Sequence, residues 1–250
     1  MTDRPRPVLD HIREIRRRAT WAVLFTIGTT VAALVFYRPI FEVLKRPAGD
    51  KLNPTLAGQF AQFKVTEAWA AIAKVGFIVG IAAALPFILY QIVAFVRPGL
   101  KPNERRWLYI MVPSALVSFA IGAAFGYLVL IPPAIRFLLS FDIAVPLIGI
   151  SDYINLVVML MFWMGLIFEL PLVMFLLARI GLVKPRWLAR QRRWALLLAF
   201  VLGAIITPTA DPVNQSLVAG PIIVMYEIGY WLSRVAEWMR ARKKAQLAAG

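Results

Sequence analysis

A single carboxylate inside a long apolar run is the residue that most clearly points to chemistry in this sequence. Glu169 precedes Arg179 by ten residues, so on a helix it would lie roughly 15 Å from that basic end. A charge at such depth in a membrane costs about 2.5–3.5 kcal/mol, and ionisable groups there are usually functional. Pro171 also deprives the carbonyl of Ile167 of its helical partner. Glu169 is therefore predicted to face a wet cavity or a polar partner, or to stay protonated; a structural carboxyl bonded to a neighbouring helix is the alternative.

Two further carboxylates lie in basic surroundings. Glu14 precedes a run of three arginines, and Glu104 precedes a pair. Because arginine pairs bidentately with carboxylates, either residue could hold a cationic ligand. Each also has a structural explanation, which the spacing alone favours. Glu14 can pair with Arg17 or Arg18 one turn further on, and Glu104 follows a plausible Asn103 cap and suits the positive end of a helix.

The segment around Asp211 has the sequence of a helix start. Asp followed by Pro212 is a typical cap and first helical residue. Thr207 and Gln215 flank the same turn and could hydrogen-bond to an incoming helix. The sequence contains one histidine and no cysteine, so it predicts no multi-histidine or thiolate metal site and no cofactor. No nucleophile–base pair or phosphate loop is present, which argues against an enzyme.

The elements that must position these residues are apolar stretches of membrane-spanning length. Hydrophobic residues make up 60% of the 250 residues and charged residues 16%, as in a polytopic helical membrane protein. A bilayer core of about 30 Å needs roughly 20 helical residues. Six spans are predicted, at about 19–37, 73–96, 108–137, 153–178, 194–206 and 213–232. The last two are short and are joined by a turn rich in proline, which predicts a tight hairpin.

The distribution of basic residues predicts the orientation of the chain. Of its 28 lysines and arginines, 21 lie in the two terminal segments and in the connections after the second and fourth spans. By the positive-inside rule both termini are then cytoplasmic, which requires an even number of spans. The net charge of +15 is explained by this topology and by anionic membrane lipids, without nucleic acid as a partner.

Three expectations concern the organisation of the chain. Residues 1–234 are predicted to form a single membrane domain, and residues 235–250 a disordered cytoplasmic tail. The outer loop 38–72 is the only long segment outside the spans. Within it Leu56, Phe60 and Phe63 recur at helical spacing, which predicts a short amphipathic helix on the outer surface.

The sequence resembles the TatC family, the receptor subunits of the twin-arginine protein translocase. The likeness runs from about residue 11 to residue 234. Five stretches carry it in order: His11 to Arg18, Leu85 to Phe95, Pro102 to Arg106, Phe168 to Pro171, and Thr207 to Gln215. Ala210 departs from the family pattern as an apparent insertion, so correspondences just before Asp211 shift by one.

The resemblance implies an all-α, glove-like receptor with a concave face in the cytoplasmic membrane. It would bind twin-arginine signal peptides of folded cargo, recruit single-span TatA- and TatB-type subunits and other TatC copies, and use the proton-motive force. The family motifs then assign residues to three roles. The signal-peptide-binding residues are Glu14, Glu104, Arg16, Arg105, Pro47, Pro86 and Phe95; the concave-face carboxyl is Glu169; the partner-helix residues are Thr207 and Gln215. For Glu14 and Glu104, spacing alone favoured a structural role, and the resemblance favours a role in binding instead.

A different class of function is kept as the alternative. Glu169 could serve a proton-coupled secondary transporter. That function predicts inverted repeats and paired broken helices near the membrane midplane, and the sequence shows no such symmetry.

Overall fold

The computed structural model describes residues 8–47, 60–96, 102–138, 140, 148–207 and 211–249. Within these residues the protein is helical, and the only β-type pairing is an isolated bridge between Ala61 and Gly149. Ten α-helices follow in order: α1 (Val8–Val35), α2 (Tyr37–Lys45), α3 (Glu67–Val96), α4 (Pro102–Phe125), α5 (Ile131–Leu138), α6 (Ile150–Phe168), α7 (Leu170–Ile180), α8 (Pro185–Arg190), α9 (Arg192–Ile206) and α10 (Pro212–Ala249). A π-helical turn (Gly126–Leu130) joins α4 to α5. The all-α prediction is confirmed.

In the part of the chain that the structure describes, five helical stretches are long and apolar enough to cross a membrane. They are Ile12–Val35, Glu67–Ile92, Ile110–Leu138, Ile150–Ile180 and Pro212–Arg242. Each overlaps one of the predicted spans. The other predicted span, 194–206, lies in α9, whose 15 residues are fewer than the roughly 20 that cross a bilayer core. The count of six spans therefore stays a prediction, compatible with this arrangement.

The chain divides into two compact units, Met1–Ile40 with Ile72–Leu116, and Phe41–Ala71 with Val117–Gly250. The predicted single domain over 1–234 stays a prediction. In the first unit α1 packs closely on α3 through small residues, as membrane helices commonly do. The Thr29 hydroxyl donates to the Gly80 carbonyl over 2.8 Å, and a side chain at Gly76 would meet Leu34. The rings of Phe25 and Phe87 stack with centroids 4.4 Å apart.

The core of the second unit lies around α6. Its buried residues include Ile154, Leu160 and Met164. Here too glycine permits close approach: a Cβ on Gly122 would lie 2.5 Å from the Met164 carbonyl oxygen. The Phe119 ring fills the space beside Gly165.

The outer segment contains a helix, but not at the predicted place. Residues 60–66 are bridge, bend and turn, so the amphipathic helix predicted around Phe60 and Phe63 is wrong for this part; Leu56 lies outside the described residues. Instead α2 is the amphipathic helix, burying Phe41 and Leu44. The spacing misled because Ala61 pairs with the chain before α6, through its amide to Ile148 and its carbonyl to Ile150. Backbone bonding to a distant segment outweighs a three-residue periodicity.

Two tyrosines and one glutamate tie this outer segment to the rest of the second unit. Tyr127 donates to the Val43 carbonyl over 2.5 Å, and Tyr153 to the Leu44 carbonyl over 2.8 Å, at the end of α2. Glu67 accepts amide hydrogens from Phe63 (2.8 Å), Lys64 (3.3 Å) and Ser151 (3.2 Å). Its carboxylate therefore joins the turn before α3 to the first turn of α6.

The end of the chain also differs from expectation. A disordered tail was predicted for residues 235–250, but α10 continues through this segment to Ala249. Alanine, arginine, lysine, glutamine and leucine dominate its last turns, and these are the strongest helix formers.

Candidate functional site

The first candidate site is a chain of polar contacts between α1 and α3. Arg18 donates to Oε1 of Glu14 through Nε (3.1 Å) and Nη2 (2.7 Å), and through Nη1 to Oε1 of Gln91 (3.4 Å). Glu14 and Arg18 are one turn apart, with the acidic residue first, which is the favourable order on a helix. Both side chains are about one-fifth exposed, 21% for Glu14 and 22% for Arg18. The local ion pair expected as the structural alternative is therefore present, and it remains accessible to solvent.

Three other predicted site residues lie on these two helices. Arg16 is exposed on α1, two residues beyond Glu14. Pro86 lies inside α3, and Phe95 lies in its last turn; both are half-buried. Between them, Tyr90 is exposed and Phe87 contacts it with centroids 6.5 Å apart. The end of α3 thus carries an aromatic, partly open surface.

Glu104 and Arg105 lie in the first turn of α4, which begins at Pro102. The side chains of both residues are outside the part of the chain that the structure describes, so their contacts stay predictions. A carboxylate in that turn complements the positive end of the helix dipole. Pro47 lies two residues past the end of α2 and is half-buried.

The second candidate site is Glu169, which stands at the junction of α6 and α7. Its amide donates to the Leu166 carbonyl over 3.1 Å. This bond closes a tight turn, which separates the two helices. The residue is 8% exposed, and its Oε1 atom has no hydrogen-bond partner among the described residues. Nearby, the Ser118 hydroxyl donates to the Phe168 carbonyl over 2.7 Å. Sequence reasoning located the break that Pro171 imposes and the apolar surroundings of the carboxyl.

The third candidate site is the turn between α9 and α10. Asp211 accepts the amide hydrogen of Asn214 (2.7 Å) and its side-chain amide (3.0 Å), which confirms the predicted helix cap. The buried Thr207 hydroxyl donates to Gly203 over 2.8 Å, and Gln215 donates to the Phe200 carbonyl over 2.9 Å. Both predicted partner residues therefore already bond within the hairpin. A small cavity lies beside Thr207 and Asn214.

Several residues that position these sites were missed from the sequence. Gln91, which holds Arg18, stands in the family-like stretch but was given no role. Arg192 and Glu227 form an ion pair of 2.7 Å between α9 and α10, and Arg192 also lies over the Tyr230 ring at 4.5 Å. The two partners of this ion pair are 35 residues apart in sequence. No local spacing therefore reveals it. Among the described residues no three carboxylates or histidines cluster as metal ligands do.

Comparison with known proteins gives consistent matches over nearly the whole chain. The family model "Sec-independent protein translocase protein (TatC)" matches residues 10–221. A TatC protein of Carboxydothermus hydrogenoformans is 33% identical over 94% of this chain and 95% of its own length. One from Aquifex aeolicus is 34% identical over 97% of this chain and all of its own. A crystal structure described as the twin-arginine translocase receptor TatC superposes with a TM-score of 0.80 at 31% identity, covering 90% of this chain and 99% of that one.

Proposed function

This chain belongs to the TatC family of twin-arginine translocase subunits, and we propose that it binds signal peptides with paired arginines through Glu14 and Glu104. It is a multi-pass protein of the inner membrane and belongs to a family of translocase receptors, not of enzymes. The observation that carries the proposal is the Glu14–Arg18 pair, because it shows a carboxylate already holding a guanidinium at an accessible position.

Exchange of the bound guanidinium is energetically reasonable. The Glu14–Arg18 pair is about four-fifths buried, so an arginine of an arriving peptide that takes the place of Arg18 exchanges one charge-assisted contact of about 1.5–3 kcal/mol for another of the same kind. An arginine of an arriving peptide, partly shielded by its own apolar segment, can therefore replace Arg18 or share Glu14 with it. Gln91 would then keep Arg18 in place beside the ligand. Lysine would serve poorly, because it lacks the planar fork of donors.

Glu104 supplies the second carboxylate in this proposal. It lies in the same compact unit as Glu14 and in the first turn of α4. Arg16, Arg105, Pro86 and Phe95 would shape the site around the peptide. Excess positive charge there would penalise cationic segments that cannot place two guanidinium groups on the two carboxylates.

Partner subunits would dock elsewhere, on the hairpin of α9 and α10. One face of α9 is exposed and apolar, with Leu197, Val201 and Ile205 at helical spacing. Gln215 would offer a polar contact at its outer end, and the buried Thr207 would do so on exchanging its hydrogen bond to the Gly203 carbonyl. Glu169 would meet a polar group of a single-span subunit or of the signal peptide. Six spans with both termini cytoplasmic, and transport driven by the proton-motive force, complete the proposal.

Photo-crosslinking tests the peptide site. A twin-arginine signal peptide carrying a photoreactive group is added to the inserted full-length protein, and the yields for Glu14→Ala and Glu104→Ala are measured. Loss of one charge-assisted contact predicts about a tenfold lower yield in each variant. Glu237→Ala, which removes an exposed carboxylate from α10, serves as the matched control and should crosslink as the parent does. Undiminished crosslinking to both test variants would remove the assignment.

Membership of the family supports the translocase function and not the proton-coupled transporter that Glu169 alone suggested. The deletion phenotype separates the two in cells. The translocase function predicts that folded twin-arginine cargo stays in the cytoplasm of the deletion strain, whereas the transporter function predicts solute uptake by the purified protein in liposomes.

A further inference from the structure

The last helix is much longer than a membrane crossing requires. With 38 residues, α10 measures about 57 Å, while a bilayer core of about 30 Å takes roughly 20 residues. Counted from Pro212, the crossing ends near Trp231. The second half of α10 therefore extends past the hydrocarbon, on the side where the basic segments of the chain gather.

This extension has two opposite faces. At 3.6 residues per turn, Gly229, Ser233, Ala236 and Arg240 fall within a sector of about 60°. The first three are buried. A Cβ on Gly229 would collide with the sulfur of Met174, so this face packs directly on α7. The extension is therefore held against the bundle along one side.

Arg240 continues this docking beyond the packed region. Gly181 ends α7 in the left-handed conformation with φ 82°, and its amide donates to the carbonyls of Leu177 and Ala178. The guanidinium of Arg240 occupies the space where a side chain on Gly181 would lie. A positive charge there complements the negative end of the α7 dipole. Arg240 thereby fixes which face of the extension points away from the protein.

The outward face combines tryptophan with arginine. Trp231 and Trp238 are 57% and 54% exposed, and Val235 lies exposed between them. The guanidinium of Arg234 lies 5.2 Å from the Trp231 ring centroid, and that of Arg242 lies 4.1 Å from the Trp238 ring centroid. Each tryptophan ring thus has a guanidinium beside it. A surface of this kind suits the membrane interface, where hydrocarbon meets charged headgroups.

The charge of the segment selects the partner. Residues 231–244 contain five basic residues and a single acidic one, Glu237. Tryptophan concentrates at membrane interfaces, and clusters of basic residues next to a membrane crossing attract anionic lipids. We propose that the outward face of the α10 extension, defined by Trp231, Arg234, Val235, Trp238 and Arg242, binds anionic phospholipid headgroups. The tryptophans enter the interface, and the arginines bind the phosphates.

Bound lipid would fix the depth at which the start of the α10 extension leaves the membrane. Because Arg240 ties the extension to α7, the lipid would also fix the orientation of that helix pair. This site is independent of the peptide site at Glu14 and Glu104.

A label near the face measures lipid contact directly. The chain has no cysteine, so Leu232→Cys, 37% exposed and one residue past the end of the crossing, gives a single position in the full-length protein for a bimane fluorophore within reach of the acyl chains. The protein is placed in nanodiscs that contain equal mole fractions of phosphatidylcholine and phosphatidylglycerol, with bromine on the acyl chains of one lipid or the other. We expect at least twofold stronger quenching by brominated phosphatidylglycerol, and loss of that excess at 1 M NaCl.

Matched variants decide whether the arginines cause the excess. Arg234→Gln with Arg242→Gln should abolish it, whereas Arg186→Gln with Arg190→Gln removes the same charge from exposed positions on α8 and should leave it intact. Equal quenching by the two lipids in the parent protein would overturn the proposal and favour an acidic protein segment as the occupant. Equal loss in both double variants would also overturn it, because the attraction would then be a property of net charge alone.

Discussion

Two apolar stretches of this protein differ greatly in how much of them the protein covers. Within Ile12–Val35, only 6% of the apolar window is buried in the protein. Within Ile150–Ile180, half of the corresponding window is buried. Glu14 lies near the start of the exposed stretch, paired with Arg18 and partly open to solvent. Glu169 lies within the covered stretch, with one oxygen unpaired among the described residues.

The difference indicates two uses of a carboxylate. On the exposed helix the ion pair can exchange its cation at low cost, as a receptor for an arriving peptide must. In the covered stretch the surroundings are fixed by backbone and packed rings, so a group that meets Glu169 must arrive in one defined position. The first position suits a mobile ligand, and the second suits a helix that docks.

Packing around the covered stretch should give the largest effect. A side chain at Gly122 would strike the Met164 carbonyl and Phe168, neither of which can easily move. Gly122→Leu should therefore lower the free energy of unfolding by about 3 kcal/mol, measured by thermal unfolding in detergent. No atom of the described residues lies within 4 Å of the Cβ position of Gly28 on α1, and Gly28→Leu should change stability by less than about 1 kcal/mol. Equal losses of unfolding free energy in the two variants would contradict the difference in packing between the two stretches.

Substitution of the buried carboxyl should affect transport more than stability. Glu169→Gln keeps the size of the side chain, and Oε1 loses no partner that the structure describes. The free energy of unfolding should stay within about 1 kcal/mol of the parent value. Export of folded twin-arginine cargo should fall at least about tenfold, if one charge-assisted bond to a partner is lost. A structural carboxyl predicts the opposite pattern: a loss of about 1–3 kcal/mol in stability, and export in proportion to the folded protein that remains.

The smallest effect concerns the exchangeable pair. Arg18→Gln removes the resident competitor from Glu14 and should strengthen binding of a twin-arginine peptide at least about twofold, because even a fully exposed helix pair contributes about 0.5 kcal/mol. Arg17→Gln, which removes the same charge from an adjacent exposed residue, is the control for long-range electrostatics. Peptide titration monitored by fluorescence anisotropy measures both. Weaker binding in Arg18→Gln would mean that Arg18 orients the carboxylate and does not compete for it.

Local patterns predicted most of the elements and some of the contacts. The apolar stretches located the long helices, and Asp211 before Pro212 predicted the start of α10. The spacing of the basic residues after Glu14 predicted a pair with Arg17 or Arg18, and the structure has the pair with Arg18. In each case the physical cause acts within a few residues. The resemblance to a known family then decided which of the carboxylates deserve a functional test.

Contacts between distant residues were out of reach. Tyr153 and the Leu44 carbonyl are 109 residues apart, and Glu67 and Ser151 are 84 apart. No local periodicity reveals contacts between residues so far apart in sequence. The helix predicted near Phe60 was wrong for the same reason, because the pairing of Ala61 with a distant segment could not be predicted. The docking of Arg240 at Gly181 likewise joins residues that are far apart in sequence, so local patterns could not predict it.

A double-mutant cycle tests the central claim most directly. Affinities of the full-length protein in nanodiscs are measured for the parent and Glu14→Gln, each with a twin-arginine peptide and with a peptide in which one arginine is glutamine. If Glu14 holds that guanidinium, the two changes should couple by about 1.5–3 kcal/mol, and the same should be found for Glu104→Gln with the other arginine. Additive losses with no coupling at either carboxylate would contradict a receptor site built on these two residues.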